Sequence, residues 1–306
     1  MLLLDFINIG YGDAILVREK QSDQTTFAML VDCGDTDIGD GGEHSQRISA
    51  VDFLGKEGIS RLDLLVLTHL HRDHIGGVNG VLSRIPIKEL WSTYLPPRAL
   101  IDREAVAEAC FSKTAGSTVK TLNILTQALR TAELQGGTLF EANRSRTLRF
   151  TPELEADILC GPVYLYDRQK QALDGLLSGT PDRYELDFSG QCTNLTGIRI
   201  LLRYHGKRIL LAADVYASYW PELPEPCYLL KAPHHACAES MTECAIAALR
   251  PEITIVCVSS DRKDNRPAPN VVAMLQQYSG KILFTDAITL PGIEPSYHSS
   301  IRVAME

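Results

Sequence analysis

Apolar residues recur along this chain in short runs of strand length, set apart by turn-forming residues. Residues 2–9, 14–18 and 27–31 are three such runs, separated by Gly10-Tyr11-Gly12-Asp13 and Gln21-Ser22-Asp23-Gln24, so the chain is expected to open as an antiparallel meander. The period changes over residues 45–56, where Ile48, Val51, Phe53 and Leu54 share one helical face. A strand at 64–67, a helix at about 77–83 and a strand at 88–93 are expected next. After Pro96-Pro97 the spacing predicts helices at 103–110 and 121–134, the second stopped by Gly136-Gly137. The stretch of about 96–137 reads as a helical insertion able to cover a site. Strands at 148–151 and 156–160, a helix at 167–177 and a polar loop over 178–191 follow. The remainder repeats the logic of the beginning, with strands at 197–204, 208–213, 228–232, 253–258, 282–285 and 301–304 and helices at 240–249 and 270–278. These patterns predict a single α/β domain over 1–306, built from two packed sheets with helices outside.

Composition narrows the function more than the fold. With 306 residues, 45% of them apolar and 22% charged, the chain can bury a substantial core in the manner of a soluble globular protein. A net charge of -8 and the lack of a long basic run argue against tight non-specific binding to duplex DNA, which needs many cationic phosphate contacts. A small or single-stranded phosphate substrate, drawn in by a local metal charge, remains compatible with that balance. The eight cysteines form no C-x-x-C pair and sit mostly in apolar stretches, which reads as free thiols in a reducing compartment. Met1-Leu2-Leu3-Leu4 meets Asp5 with no basic segment before it, so it does not read as a signal peptide, and no later run reaches the length of a membrane span. The expected location is cytoplasmic, with no membrane partner, and the sequence sets no oligomeric state.

The chemistry concentrates behind the strand at 64–67, in Thr68-His69-Leu70-His71-Arg72-Asp73-His74-Ile75-Gly76-Gly77. A lone histidine is an ordinary residue. Four ligand-type side chains packed behind a buried strand are different, because desolvating them without a metal or partners is costly. His69 and His71 alternate on one side of an extended segment while Asp73 and His74 diverge, which suits two neighbouring positions for zinc, manganese or iron. Asp214 ends the strand at 208–213, and His234-His235 end the strand at 228–232. Alone, Asp214 is a common helix-capping type and a His-His pair is a weak signal. Three strand ends meeting at one rim would join them to the first cluster, where open α/β sheets place ligands.

The stretch from His69 to His74 resembles the signature of the metallo-β-lactamase superfamily, and within it the hydrolase domain of the ComEC competence proteins. Gly10-Tyr11-Gly12-Asp13-Ala14, Val31-Asp32-Cys33-Gly34, Leu210-Leu211-Ala212-Ala213-Asp214, Leu230-Lys231-Ala232-Pro233-His234-His235 and Phe284-Thr285-Asp286 look like that group's further motifs, in the same order. The likeness spans nearly the whole chain apart from about 96–190. It implies a four-layer αββα sandwich with a metal site at its rim. His69, His71, Asp73, His74 and His234 would be ligands, Asp214 would bridge two divalent ions (Zn2+ or Mn2+), and Asp32 would organise the ligand loops through hydrogen bonds. Two departures stand out. The superfamily's additional histidine before the bridging aspartate is replaced by Cys192-Thr193-Asn194-Leu195-Thr196, so one metal position is expected to be weakly liganded or completed by water. Asp264-Asn265-Arg266-Pro267-Ala268-Pro269 lacks a histidine that the competence group carries, leaving His298 as a spatial substitute to be checked.

Residue chemistry and resemblance both point to hydrolysis, since a bound metal brings the pKa of water to about 7. Asp73 and Asp214 are expected to hold the resulting hydroxide, His235 or Asn194 to donate to the developing oxyanion, and Lys231 and Arg266 to hold a phosphate. The leading expectation is a phosphodiesterase or nuclease acting on single-stranded or short nucleic acid. A small-molecule ester, lactone or amide hydrolase is the second, because fold does not fix function. A catalytically weak binding or regulatory protein is the third, prompted by the missing histidine. A cationic groove would favour the first, and an apolar pocket under 96–137 the second.

Overall fold

A computed structural model describes residues 1–107, 112–222, 224–261 and 265–306. The opening meander forms as expected: β1 (Leu2–Ile7), β2 (Ile15–Gln21) and β3 (Gln24–Val31) pair antiparallel in sequence order. β4 (Leu62–Leu67), β5 (Ile87–Ser92) and β6 (Thr138–Glu141) extend this sheet in parallel. The second sheet starts antiparallel with β7 (Arg146–Arg149), β8 (Leu154–Leu159), β9 (Arg199–Tyr204) and β10 (Lys207–Leu211). It continues in parallel with β11 (Leu229–Lys231), β12 (Ile253–Val256) and β13 (Lys281–Phe284). β14 (Ser300–Met305) returns to the first sheet and pairs antiparallel with β1, giving seven strands in each sheet.

Strand alternation divides the apolar residues among three separate cores. Leu2, Leu4 and Phe6 of β1, Leu64 and Val66 of β4, and Ile209 and Leu211 of β10 meet between the sheets. Leu65 and Leu67 face outward instead, toward the helices α1 (Ala50–Lys56), α3 (Val78–Leu82), α4 (Lys113–Leu134), α5 (Val163–Ser178) and α6 (Arg183–Cys192). A further short helix, α2 (Arg72–Ile75), lies between α1 and α3 in the chain. On the far side, Leu210 and Leu230 pack beneath α7 (Glu243–Leu249) and α8 (Pro269–Tyr278). Helix, sheet, sheet, helix is the resulting order of layers. It is the αββα sandwich.

Departures from the predicted elements have local causes. The first helix begins at Ala50 rather than 45, with the Ser49 side chain accepting from Asp52 N. The residues before it are held extended: Ile48 N donates to Asn8 O, and the Arg47 guanidinium reaches Asp286 at 2.9 Å. The stretch read as a polar loop contains α6, whose Asp182 side chain caps Tyr184 and Glu185; only Leu186 and Ser189 of it are fully buried, too few to print a helical period. Residues 103–107 of the predicted 103–110 helix are not helical, because Asn123 pairs with both backbone groups of Ala105 at 2.8 Å; residues 108–110 lie outside the described residues. The segment read as an insertion supplies α4, which crosses between parallel β5 and β6 and buries Leu122, Leu125 and Leu129. Its first turn comes down beside His71.

Candidate metal centre

The centre lies where β4, β10 and β11 end, with loops after β1 and β3 wrapped against it. Asp32 follows β3 in a left-handed conformation (φ 58°) and is fully buried. It accepts from Thr68 N at 2.8 Å, Thr68 Oγ1 at 2.7 Å and His74 Nδ1 at 2.7 Å. One carboxylate thereby orients the strand end and one imidazole, leaving His74 Nε2 to point into the centre. Gly12 explains the glycine of the opening motif: at φ 122° its backbone lies so close to Asp73 that a Cβ would sit 1.9 Å from Asp73 O. Asp13 N then donates to Asp73 O at 3.2 Å.

Among the described residues the ligand-type side chains fall into three groups: Asp13, Asp32 and His74 form one, and the other two share Asp214. Of these two, His69, His71 and Asp214 form the first and Asp73, His74, Asp214 and His235 the second, with candidate donor atoms in each group within 4.8 Å of one another. His69 Nε2 is 3.2 Å from His71 Nδ1 and 3.8 Å from Asp214 Oδ2. Asp214 Oδ2 lies 3.2 Å from His74 Nε2 and 3.5 Å from His235 Nε2, and His235 Nε2 is 3.3 Å from Asp73. Both Asp214 oxygens, His74 Nε2 and His235 Nε2 are buried without a hydrogen-bond partner. Orphaned atoms of this kind are costly in a protein interior. Imidazoles and carboxylates converging on shared points fit divalent cations, and Asp214 belongs to two of the three groups.

Charge follows the same pattern. Burial, reinforced by His74 and His71, holds the His69 imidazole well below its ordinary pKa and therefore neutral. Burial is the largest single influence on His74 and His235 and opposes their charge, yet the surrounding carboxylates together outweigh it. Asp214, Asp32 and Asp73 lift His74 far up, and Asp214, Asp73 and Asp13 lift His235 to about 9. Against their own burial, Asp73 and Asp214 are held well below the carboxylate range, mainly by His74 and His235. These carboxylates thus demand positive charge at the point where the donors meet, a demand that a divalent cation satisfies.

Several expected site residues stand elsewhere than the sequence suggested. Lys231 was expected to hold a phosphate; it is instead fully buried, paired with Asp13, and donates to Ala213 O at 2.9 Å. It ties the loop after β1 to the ends of β10 and β11 and has no surface to offer a substrate. His234 and His235 exchange places. His235, expected as an oxyanion donor, sits in the four-residue group with its Nδ1 fixed 3.0 Å from Cys257 O. His234, expected as a ligand, is beside that group: its Nε2 is 3.5 Å from Asp214 and its Nδ1 3.1 Å from Cys237 Sγ. Burial pushes the His234 imidazole down to about 3. Asn194 has its Oδ1 buried and unpaired. The turn it opens does abut both ligand loops, since Ile198 N donates to Thr68 O and Gly197 faces Val215. His298 bonds Phe284 O at 3.0 Å and joins no donor group among the described residues. The Asp264 end of the motif around Arg266 lies outside the described residues.

Arg266 does reach the centre, and so does a partner that sequence reasoning passed over. Its guanidinium donates to the Tyr11 hydroxyl, and the Tyr11 ring stands 5.2 Å from that of His235. Asp13 was also passed over, although the glycine-aspartate opening that contains it is visible in the sequence. Its carboxylate pairs with Lys231 and stands 3.6 Å from His235 Nδ1 and 3.8 Å from His74 Nδ1.

Residues 7–143 match the model of the Metallo-beta-lactamase superfamily, and the two sheets with helices outside them are consistent with that superfamily's sandwich fold. Over 291 residues, 92% of this chain, it is 24% identical to ComE operon protein 3 of Bacillus subtilis (strain 168), of which it spans only 32%. Solved structures that follow a similar course include the metallo-beta-lactamase fold protein YhfI from Bacillus subtilis, at 12% identity, TM-score 0.48 and 99% of both chains. Zn2+-bound PqqB from Methylobacterium extorquens is another, at 10% identity, TM-score 0.44 and 100% of both chains.

Proposed function

We propose that this chain is a metal-dependent phosphodiesterase acting on single-stranded or short nucleic acid. The observation that carries the reading is Arg266, a cation held against Tyr11 at the edge of the two donor groups, where an anionic substrate would need it. A cavity of about 260 Å³ beside His71 supports it: Lys113, Thr114, Ser117, Thr118 and Gly190 join Leu70 and His71 in its wall. Those residues bring a cation and three hydroxyl groups to the cavity, which suits an anionic substrate better than an ester or lactone.

His69, His71 and Asp214 would hold one divalent ion, and Asp73, His74, Asp214 and His235 a second; Zn2+ and Mn2+ both suit these donors. Such ions supply an activated water and neutralise a phosphodiester oxygen. The chain's own groups do the rest. Asp32 and the Cys257 carbonyl fix the two imidazoles that flank Asp73 and Asp214. Arg266 binds and orients the phosphate, where its fork of donors matches two oxygens. Lys231 and Asp13 hold the strand ends in register.

The test is cleavage of a labelled single-stranded oligonucleotide with added Mn2+ or Zn2+, beside an Asp73→Ala control. Metal-dependent cutting that vanishes in the control is the expected result. Arg266→Ala is expected to raise KM more than it lowers kcat. No cutting by protein shown to carry metal would sink the nuclease reading and turn attention to small esters and lactones.

A further inference from the structure

The outer face of the second sheet is only partly roofed. α7 and α8 cover β11 to β13, while over β8 to β10 a cavity of about 190 Å³ remains beneath the segment around Trp220 and Pro224. Leu159, Leu201, Leu210 and Trp220 line it, with Arg199 and Arg208 in its wall and the acidic Glu222 and Glu225 at its rim. Arginines are frequent on this face, and their partners separate one from the rest. Arg149 pairs with Glu155, Arg203 with Asp157, and Arg208 with the exposed Glu225. Arg199 is more buried than any of these, at 6% exposure, and among the described residues its side chain has neither an ion pair nor a hydrogen bond.

What Arg199 does have is the face of Trp220, with its guanidinium carbon 5.4 Å from the ring centroid. That ring is itself fixed, since Trp220 Nε1 donates to Val215 O at 3.0 Å. Burial lowers the Arg199 pKa to about 10, against a smaller opposing effect of Tyr166 and Cys160, so it remains charged near neutrality. Arg208 contributes a second incompletely used guanidinium, as its Nε is buried and unpaired. A desolvated guanidinium without an anion is costly, whereas one that meets a carboxylate or phosphate makes paired, charge-assisted hydrogen bonds.

We propose that this cavity binds a small organic oxyanion, a carboxylate or phosphate ester carrying a flat apolar group. Arg199 and Arg208 take the oxyanion head, and Trp220 with Leu159, Leu201 and Leu210 takes the apolar group. The cavity is separate from the metal centre in its residues, and the inference does not depend on the nuclease reading.

Trp220 provides the signal for the test, because Trp91 is the only other tryptophan in the chain. A Trp91→Phe protein is titrated with phenyl phosphate, benzoate, inorganic phosphate and the neutral benzyl alcohol while Trp220 emission is followed. Saturable change with phenyl phosphate or benzoate is expected, weaker with inorganic phosphate and absent with benzyl alcohol. Arg199→Leu is expected to weaken it by about 10-fold or more, as loss of a charge-assisted pair does. The change is expected to persist in Asp73→Ala. Should Arg199→Leu fail to fold by circular dichroism, Arg199→Lys keeps the charge, loses the fork and is expected to weaken binding several-fold. The proposal is overturned by no saturable change up to about 10 mM ligand. It is equally overturned by binding that survives loss of Arg199, or by a signal that disappears in Asp73→Ala, which would put the anion on the metal centre.

Discussion

His69, His71, Asp73 and His74 stand on one short turn after β4, where α2 starts at Arg72 and every ligand residue has an ordinary backbone. Asp214, His234 and His235 stand on the other sheet, and there the chain is bent out of its way. Ala213, His234, His235 and Ala236 all have φ between 47° and 54°, a left-handed conformation that costs non-glycine residues of order 1–3 kcal/mol each. The first half of the centre is held by side-chain hydrogen bonds, Asp32 to Thr68 and His74; the second is held by backbone strain and buried contacts such as Lys231 to Ala213 O. A compact motif can be positioned by one carboxylate, whereas donors from separate strand ends need the sheet itself to aim them.

That contrast can be broken at several points. Asp214 belongs to both donor groups, so Asp214→Ala should reduce turnover by at least about 10³-fold, corresponding to several kcal/mol of lost charge stabilisation, and should lower the content of both metals by elemental analysis. Next comes the histidine pair. His235→Ala should weaken metal binding by about 10²-fold or more in a chelator competition, and His234→Ala by much less; the reverse order would restore the assignment that the sequence suggested. Chelation should lower the melting temperature, because donors from both sheets lose their common partner. A metal at about 100 times its Kd contributes about 2.7 kcal/mol, readable by a thermal scan with and without chelator. Asp32→Asn should cost about 10–100-fold in metal affinity, the usual effect of losing the group that orients a ligand histidine. Smallest is Ala236→Gly, which relieves a left-handed alanine and should raise stability by about 1 kcal/mol or less, checked by urea unfolding. A destabilised Ala236→Gly would mean that the bend is not strained.

The same contrast explains what could be read from the chain alone. The meander, the two parallel runs and the His69–His74 turn were legible because burial on both faces of central strands leaves apolar runs ending abruptly in polar residues. The division of labour between His234 and His235 was not, since adjacent residues in left-handed turns diverge in a way no spacing records. Lys231 misled for a related reason: a lysine at a strand end looks like a substrate cation until Asp13, more than two hundred residues away, is seen beside it. Helix α6 stayed hidden because so little of it is buried, and residues 103–107 because Asn123 takes the backbone of Ala105 for itself. Arg199 gave no signal in the sequence. Its isolation is a property of the folded sheet.

The pairing of β14 with β1 also sets an order of events in time. Leu2 lies opposite Met305 and Asp5 opposite Arg302, so the first sheet stays open along β1 until β14 has been made. During synthesis β1 is an unprotected edge carrying Leu2, Leu4 and Phe6, and its buried Asp5 lacks one of its two arginine partners. Exposed edges of this sort recruit other strands, and pairings between distant residues form slowly. Between emergence of the meander and arrival of β14, this edge is therefore open to wrong pairing.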